Sequence, residues 1–263
     1  MTADYKNWMP RGMVFGASAG AAAAAVLLAL SVFWGFGATG TFKTVLIAVL
    51  AAVLCGMLIF TFLSVSWYNA FSYNGKRQVS KKVIQAVASY VTIPEGGTGL
   101  DVGCGSGALT IACAKRNPQA KMIGVDRWGK EYASYNKALC ESNAACEGVS
   151  NVSFEHGDAC KLDFPDETFD AVTSNYVYHN VVGEDRKALL DETLRVLKKG
   201  GTFALHDLMS PVRFGDMQAF ADKLRAQGYE QVELIDTTER FFKSKREAAL
   251  LALGSSTLLT GRK

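Results

Sequence analysis

Four groups of residues in this chain have types and spacings suited to chemistry. The run GLDVGCGSGALTIACA carries Asp101 followed by Gly103, Gly105 and Gly107, with Cys104 between the first two glycines. Alternating glycines after a strand let the backbone turn sharply and approach a ligand with no Cβ in the way. Asp126 closes the run MIGVD, 19 residues after Gly107, and Arg127 follows it. That is the interval at which a carboxylate can accept hydrogen bonds from both ribose hydroxyls of a nucleoside. Asp158 sits in FEHGDA, placed to accept from an adenine amino group while the Ala159 N–H donates to the ring. The fourth group is the three histidines, His156, His179 and His206, each at the end of an apolar run.

Three acids at three successive strand ends suit an adenosine that carries a cation, and they would repel a pyrophosphate. S-adenosylmethionine is therefore favoured over a dinucleotide. Methyl transfer from a sulfonium is a displacement, so the protein mainly aligns donor and acceptor and excludes water. A base is needed only where the acceptor must first lose a proton. His179 and His206, after the fourth and fifth strands, are the candidate bases. Tyr178 is the candidate acceptor contact, with Tyr176 and Asp207 as neighbours able to orient an acceptor. The competing reading for each is a structural side chain that caps a strand end. No metal site is expected, because no carboxylate or cysteine spacing supports the histidines. The six cysteines contain no CxxC pair and read as reduced thiols in a cytosolic compartment.

These residues need strands and helices to hold them. Apolar runs at residues 98–102, 122–125, 152–155, 169–173, 202–206, 231–235 and 257–260 read as strands. Residues 130–147 and 186–197 read as helices, the second with Leu189, Leu190, Leu194 and Leu197 at helical spacing. A basic amphipathic helix is expected around residues 79–91. Strand and helix in alternation predict an α/β, doubly wound, largely parallel sheet with ligands beyond the carboxyl ends of its strands.

Residues 99–263 resemble a class I S-adenosylmethionine-dependent methyltransferase. The resemblance lies in Asp101 with its three glycines, in Asp126, in Gly157 to Ala159, and in the stretches FPDETFDAVTSNYVYHN, LRVLKKGG and LLTGRK. It implies a seven-stranded Rossmann-like methyltransferase sheet with the last strand antiparallel. It also implies S-adenosylmethionine held by Asp101, Gly103, Cys104, Gly105, Gly107, Asp126, Arg127, Asp158, Ala159, Ser174 and Asn175. The motifs are closest to the group that includes quinone, sterol and lipid-amine enzymes. SNYVY departs from the NPPY-type motif of enzymes that methylate DNA amino groups. A net charge of +3 over 263 residues likewise gives no field that suggests a nucleic-acid partner.

The front of the chain is apolar. Residues 12–34 and 45–67 are each 23 residues without a charge, long enough at about 1.5 Å per residue to cross a hydrocarbon core of about 30 Å. They predict a transmembrane α-helical hairpin. The organisation expected is an anchor at residues 1–68, a basic linker with the amphipathic helix at 69–97, and the catalytic domain at 98–263. Lys76, Arg77, Lys81 and Lys82 follow the second run, while the connector at 35–44 holds only Lys43. Positive charge stays inside, so two spans of the cell membrane with both termini and the catalytic domain cytoplasmic are expected. Gly12, Gly16 and Gly20 make a small-residue stripe that packs either on the chain's own second span or on a second copy as a homodimer. An anchor raises the enzyme's local concentration at the bilayer, which favours a lipophilic acceptor: a quinone, isoprenoid, lipid amine or hydrophobic xenobiotic. The alternatives are methylation of a membrane protein or a soluble metabolite, and a non-catalytic S-adenosylmethionine-binding module.

Overall fold

The computed structural model describes residues 2–37, 39–129 and 134–263. The chain divides into one unit of Asn7–Ser80 and another of Met1–Lys6 with Lys81–Lys263. Residues 2–6, which the sequence assigned to the anchor, therefore group with the catalytic unit. The first part of the expected linker, residues 69–80, groups with the apolar helices, and the remainder with the catalytic unit.

In the first unit, α1 (Arg11–Phe33) and α2 (Gly40–Phe71) are long and apolar enough to cross a membrane by length and composition. The second helix outruns the expected span at both ends, because nothing in GTFKT or YNAF breaks a helix once it has begun. Hydroxyls that would otherwise go unsatisfied in apolar surroundings bond back along their own helices. Ser31 donates to the Leu27 carbonyl and Ser64 to that of Phe60, both at 2.8 Å. Ala17, Ala21 and Ala24 are buried, and a Cβ at Gly20 would collide with the Met57 side chain. Gly20 thus faces α2 within the same chain, whereas a Cβ at Gly12 or Gly16 meets nothing within 4 Å.

The second unit begins in α3 (Val79–Ala88) and continues as β1 (Thr98–Val102), α4 (Ala108–Arg116), β2 (Lys121–Asp126), α5 (Lys137–Cys146), β3 (Val152–His156) and β4 (Phe169–Asn175). Then follow α6 (Arg186–Arg195), β5 (Leu197–Leu208), α7 (Pro211–Phe214), α8 (Met217–Ala226), β6 (Glu230–Asp236), α9 (Lys245–Leu250) and β7 (Ser256–Arg262). The strands form one seven-stranded sheet in the order β3-β2-β1-β4-β5-β7-β6. Only β7 runs antiparallel to its neighbours. All seven expected strands are present.

Two of the boundaries that differ have a local cause. The helix expected from residue 130 starts at Lys137, where Asn136 caps it by accepting from the Leu139 N–H at 2.8 Å; residues 130–133 lie outside the described residues. Strand β5 starts at Leu197 instead of 202, because Leu197 already pairs with Phe169 across a register shift. Leu197 thus belongs to the sheet and not to α6.

The core lies between β1, β4, β5 and the helices α6 and α8, with Leu100, Val172, Leu190, Leu205 and Leu224 buried. On the other face α4 sits against β2 at a distance only glycine permits. A Cβ on Gly124 would lie 2.8 Å from Thr110 Oγ1 and 2.9 Å from Phe154 Cδ1. Gly124→Ala should therefore cost about 1–3 kcal/mol of stability in urea unfolding. Because it pushes on Thr110, it should weaken donor binding as well, whereas Ala171→Gly on β4, beyond β1 in the sheet, should leave donor binding unchanged.

Candidate functional site

The site lies along the carboxyl edge of the parallel strands. Strand β1 delivers Asp101 to that edge, and the glycine turn follows with Gly103, Gly105 and Gly107 at φ 73°, 55° and 78°. Such angles are strained for any residue with a Cβ. The turn is pinned to β2: the N–H groups of Gly103 and Cys104 both donate to the Val125 carbonyl, at 2.8 and 3.0 Å. A Cβ at Gly105 would meet no atom within 4 Å, so the turn borders open space there. A Cβ at Gly103 would strike the Val177 side chain, which brings the connector after β4 against the same turn.

The three acids occupy different surroundings. Asp101 is buried, with Oδ2 accepting from the Thr110 hydroxyl at 2.7 Å and Oδ1 from that of Thr173 at 2.9 Å. Burial pushes its carboxyl up to about 7, with the Asp126 charge adding to the rise against the two hydroxyls. Asp126 is half-buried and accepts from the Gly105 N–H at 2.8 Å and the Trp128 N–H at 2.7 Å. It thereby fixes the middle of the glycine turn. Asp158 is held below the usual carboxylate range, chiefly by the backbone N–H of Cys160, with the Arg127 and His156 charges acting in the same direction. Ala159 packs at the edge of the core and Arg127 is exposed.

Other expected donor contacts face inward. The Cys104 thiol is buried, and burial together with the neighbouring Cys140 thiol raises its pKa. Ser174 is buried and donates to the Val102 carbonyl at 2.9 Å. Asn175 Oδ1 is bonded to His206 Nδ1 at 2.8 Å. Ser174 and Asn175 are thus committed to holding β4 against its neighbours.

The histidines separate clearly. His206 is buried, with Nδ1 bonded to Asn175 and Nε2 to the Thr237 hydroxyl, both at 2.8 Å. Burial lowers its pKa to about 3, so both nitrogens are spent and the ring stays neutral. The expectation of His206 as a base is corrected to a structural role. Tyr178 is corrected too: its ring is buried and its hydroxyl meets that of Thr193 at 2.8 Å, inside the core and away from any diffusing acceptor. His179 is different. Its Nδ1 lies 2.5 Å from Oδ1 of the fully buried Asp207, while the ring keeps 16% of its surface exposed. A carboxylate only accepts, so Nδ1–H donates to Asp207, which in the neutral ring leaves the lone pair on Nε2. Asp207 also accepts from the N–H groups of Tyr178 at 2.8 Å and Leu208 at 2.6 Å, so one carboxylate orients the ring and the turn that carries it.

Several residues here were not singled out from the sequence. Thr110 and Thr173 satisfy Asp101. The Trp128 indole N–H donates to the Gly105 carbonyl at 3.0 Å, laying an aromatic ring beside the turn. Asn143 on α5 donates to the Ser106 carbonyl at 3.0 Å and to that of Asp4 at 3.1 Å, and accepts from the Asp4 N–H at 2.7 Å. The N-terminal segment is thereby tied to the glycine turn. The available signal was a polar residue on a helix face shared with Cys140 and Ala144, both buried.

Asp101 generates a pH dependence. Its folded pKa lies above the unfolded value near 4, so the stability is fully present at low pH and is lost as pH rises through about 7. The ligand-free protein should therefore lose on the order of 3 kcal/mol from this group between pH 4 and 8. Asp101→Asn should flatten that slope in denaturant titrations; an unchanged slope would contradict the burial argument.

A family model described as a methyltransferase domain matches residues 100–205. Demethylmenaquinone methyltransferase of Bacillus licheniformis is 30% identical over 181 residues, covering 65% of this chain and 75% of that protein. Among solved structures, the [4+2]-cyclase SpnF matches with a TM-score of 0.55 at 22% identity, covering 71% of this chain and 82% of that one. A Haemonchus contortus phosphoethanolamine N-methyltransferase in complex with S-adenosyl-L-methionine matches at 0.52 and 17% identity, covering 74% and 54%. At those identities the two structures speak to the fold alone. The open glycine turn with a carboxylate at the end of each of β1 and β2 and just past β3 fits an adenosine-bearing sulfonium as methyl donor. With the match to the Bacillus enzyme, it establishes that this chain belongs to the class I S-adenosylmethionine-dependent methyltransferases.

Proposed function

We propose that the chain methylates a small lipophilic acceptor of the quinol type at a membrane, with His179 as the base. The observation that carries this reading is the Asp207–His179 pair: a partly exposed imidazole, oriented by a buried carboxylate, two residues from the Val177 contact with the donor turn. The name of the Bacillus relative supports a quinone-ring acceptor, and the two apolar helices support a lipophilic one.

When bound, S-adenosylmethionine supplies an electrophilic methyl on a cationic sulfur. Gly105 and Asp126 position it, and Asp158 takes the adenine end. His179 Nε2 accepts the proton of an acceptor hydroxyl, and Asp207 stabilises the imidazolium that results. The ring carbon beside the resulting oxyanion then forms the bond to the methyl as the bond to sulfur breaks. The ring hydrogen leaves to water, and His179 returns its proton to the oxygen. Tyr176 walls this region; its ring lies 6.3 Å from that of His179, and its hydroxyl is bound to Ser256 at 2.7 Å.

His179→Gln should lower kcat about 100-fold or more while leaving donor affinity within about twofold. His206→Gln should lower kcat far less. Turnover is read by mass spectrometry of lipid extracts incubated with deuterated-methyl donor. Label appearing only in water-soluble products would overturn the lipophilic acceptor.

For the membrane we propose two spans with both termini on the cytoplasmic side. In a chain with Cys55 and Cys160 replaced by serine, a cysteine at Thr39 should react with an impermeant thiol reagent from outside the cell and one at Ser244 should not. The opposite pattern refutes the topology.

A further inference from the structure

We propose that residues 4–6 form a strap on the methyl donor's turn, with Asn143 as the positioning residue that couples the two, so that the donor is held tightly only while the strap is seated. Asn143 is 1% exposed, and its side-chain amide is engaged entirely with backbone from two distant places. Its N–H groups donate to the Ser106 carbonyl at 3.0 Å and to the Asp4 carbonyl at 3.1 Å, and its oxygen accepts from the Asp4 N–H at 2.7 Å. A carbonyl cannot donate, so these partners fix which end of the amide faces which. Asp4 lies 139 residues from Asn143 and Ser106 lies 37. One buried amide therefore holds together a segment that precedes the apolar helices and the turn that follows β1.

The grip on the turn is double. Three residues earlier on α5, the Cys140 thiol donates to the Gly105 carbonyl at 3.2 Å, so one face of that helix holds two successive carbonyls of the turn. With Asp126 accepting from the Gly105 N–H at 2.8 Å, the middle of the turn is oriented by β2 and by α5 together. These bonds aim the part that stays open to the donor, where a Cβ at Gly105 would meet no atom within 4 Å. The strap is shaped for its place. Tyr5 is buried, and Lys6 takes φ 57°, a left-handed conformation unfavourable for a residue with a Cβ. Asp4 holds it there by accepting from the Lys6 N–H at 3.0 Å and from Lys6 Nζ at 2.6 Å. Residues 1–6 group with the catalytic unit although residues 7–80 do not. Closing so long a loop costs chain entropy, which the contacts of the strap must offset. Lifting the strap leaves one donor and the carbonyl of Asn143 unpaired in a buried place, which favours rotation of the amide away from Ser106. Coupling between two sites is reciprocal, so a seated strap favours the donor and a bound donor favours the seated strap. The inference rests on the donor alone and is independent of the acceptor and of His179.

The test uses the full chain in detergent and S-adenosylmethionine itself. Asn143→Ala and, separately, Asp4→Pro, which removes the N–H that the Asn143 oxygen accepts, should each raise the donor Kd about tenfold in calorimetry at unchanged stoichiometry, the size expected for lost buried hydrogen bonds. Glu141→Ala, at an exposed position of the same helix, should leave the Kd within about twofold. In hydrogen exchange of the parent chain, saturating donor should slow the amides of residues 4–6 several-fold, and that protection should vanish in Asn143→Ala. Side chains that only pack would lower the folded fraction, and with it the stoichiometry, while Kd and donor-dependent protection stay as in the parent; that result would overturn the strap. A raised Kd in Asn143→Ala beside a parental Kd in Asp4→Pro would assign the effect to the Ser106 bond alone and overturn it equally. If Asn143→Ala does not fold, the affinity of Asp4→Pro and the exchange of the parent decide: both as expected uphold the coupling, and either one unchanged by its perturbation overturns it.

Discussion

A carboxylate with almost no access to water, near the carboxyl end of β1, is the constraint around which the catalytic unit is arranged. Asp101 cannot rely on solvent, so protein donors must reach it. They come from two different elements, Thr110 on α4 and Thr173 on β4. Meeting that need draws the helix after the glycine turn down onto the sheet and seats β4 beside β1. The close approach of α4 then requires Gly124 on β2 and Gly107 at the start of the helix, because a side chain at either would strike Phe154. The donor cradle is in this sense a by-product of satisfying one buried charge.

The same residue type takes opposite roles wherever burial differs. Asp101 is buried and shifted upward, while Asp158, on the open side of the adenine turn, is shifted downward by its neighbours. His206 and His179 repeat the contrast. The former is enclosed by Asn175, Thr237, Tyr176 and Phe241 and stays neutral, whereas the latter is turned by Asp207 toward the surface. Two adjacent residues of one strand, His206 and Asp207, thus point to opposite faces of the sheet, as the strand period demands. One is enclosed by its neighbours and the other orients the ring of His179.

That alternation explains which parts of the site were legible in the sequence. Glycines at alternate positions after a strand, and an acid at the end of the next, are demands on the backbone that any ligand of this shape imposes locally, so Gly105 and Asp126 could be read from spacing. The faces of β4 and β5 could not. His206 and Tyr178 look as accessible in sequence as His179; what separates them is packing against Thr237 and Thr193, 31 and 15 residues away. Element boundaries failed for similar reasons. The early start of β5 depends on Leu197 meeting Phe169, and the late start of α5 on a cap at Asn136, neither of which alters the apolar pattern. Asn143 and Trp128 were missed because their partners are backbone carbonyls of the turn itself, which leave no mark in composition.

Donor and acceptor sides therefore differ in how they are encoded. The donor side is built from short turns after β1, β2 and β3, where geometry fixes residue type. The side proposed to meet the acceptor is built from the longer connectors after β4, β5 and β6, which are tied together by buried polar contacts: Tyr176 to Ser256, Tyr178 to Asp207, and His206 to Thr237. Each contact joins two connectors or a connector to a strand, so the wall behind His179 is rigid although little of it is regular structure. Rigidity inward leaves the outward tips of those connectors free to vary in chemistry without loss of the fold. Val182 and Val212 occupy such tips, with nothing in the folded unit requiring an apolar side chain there.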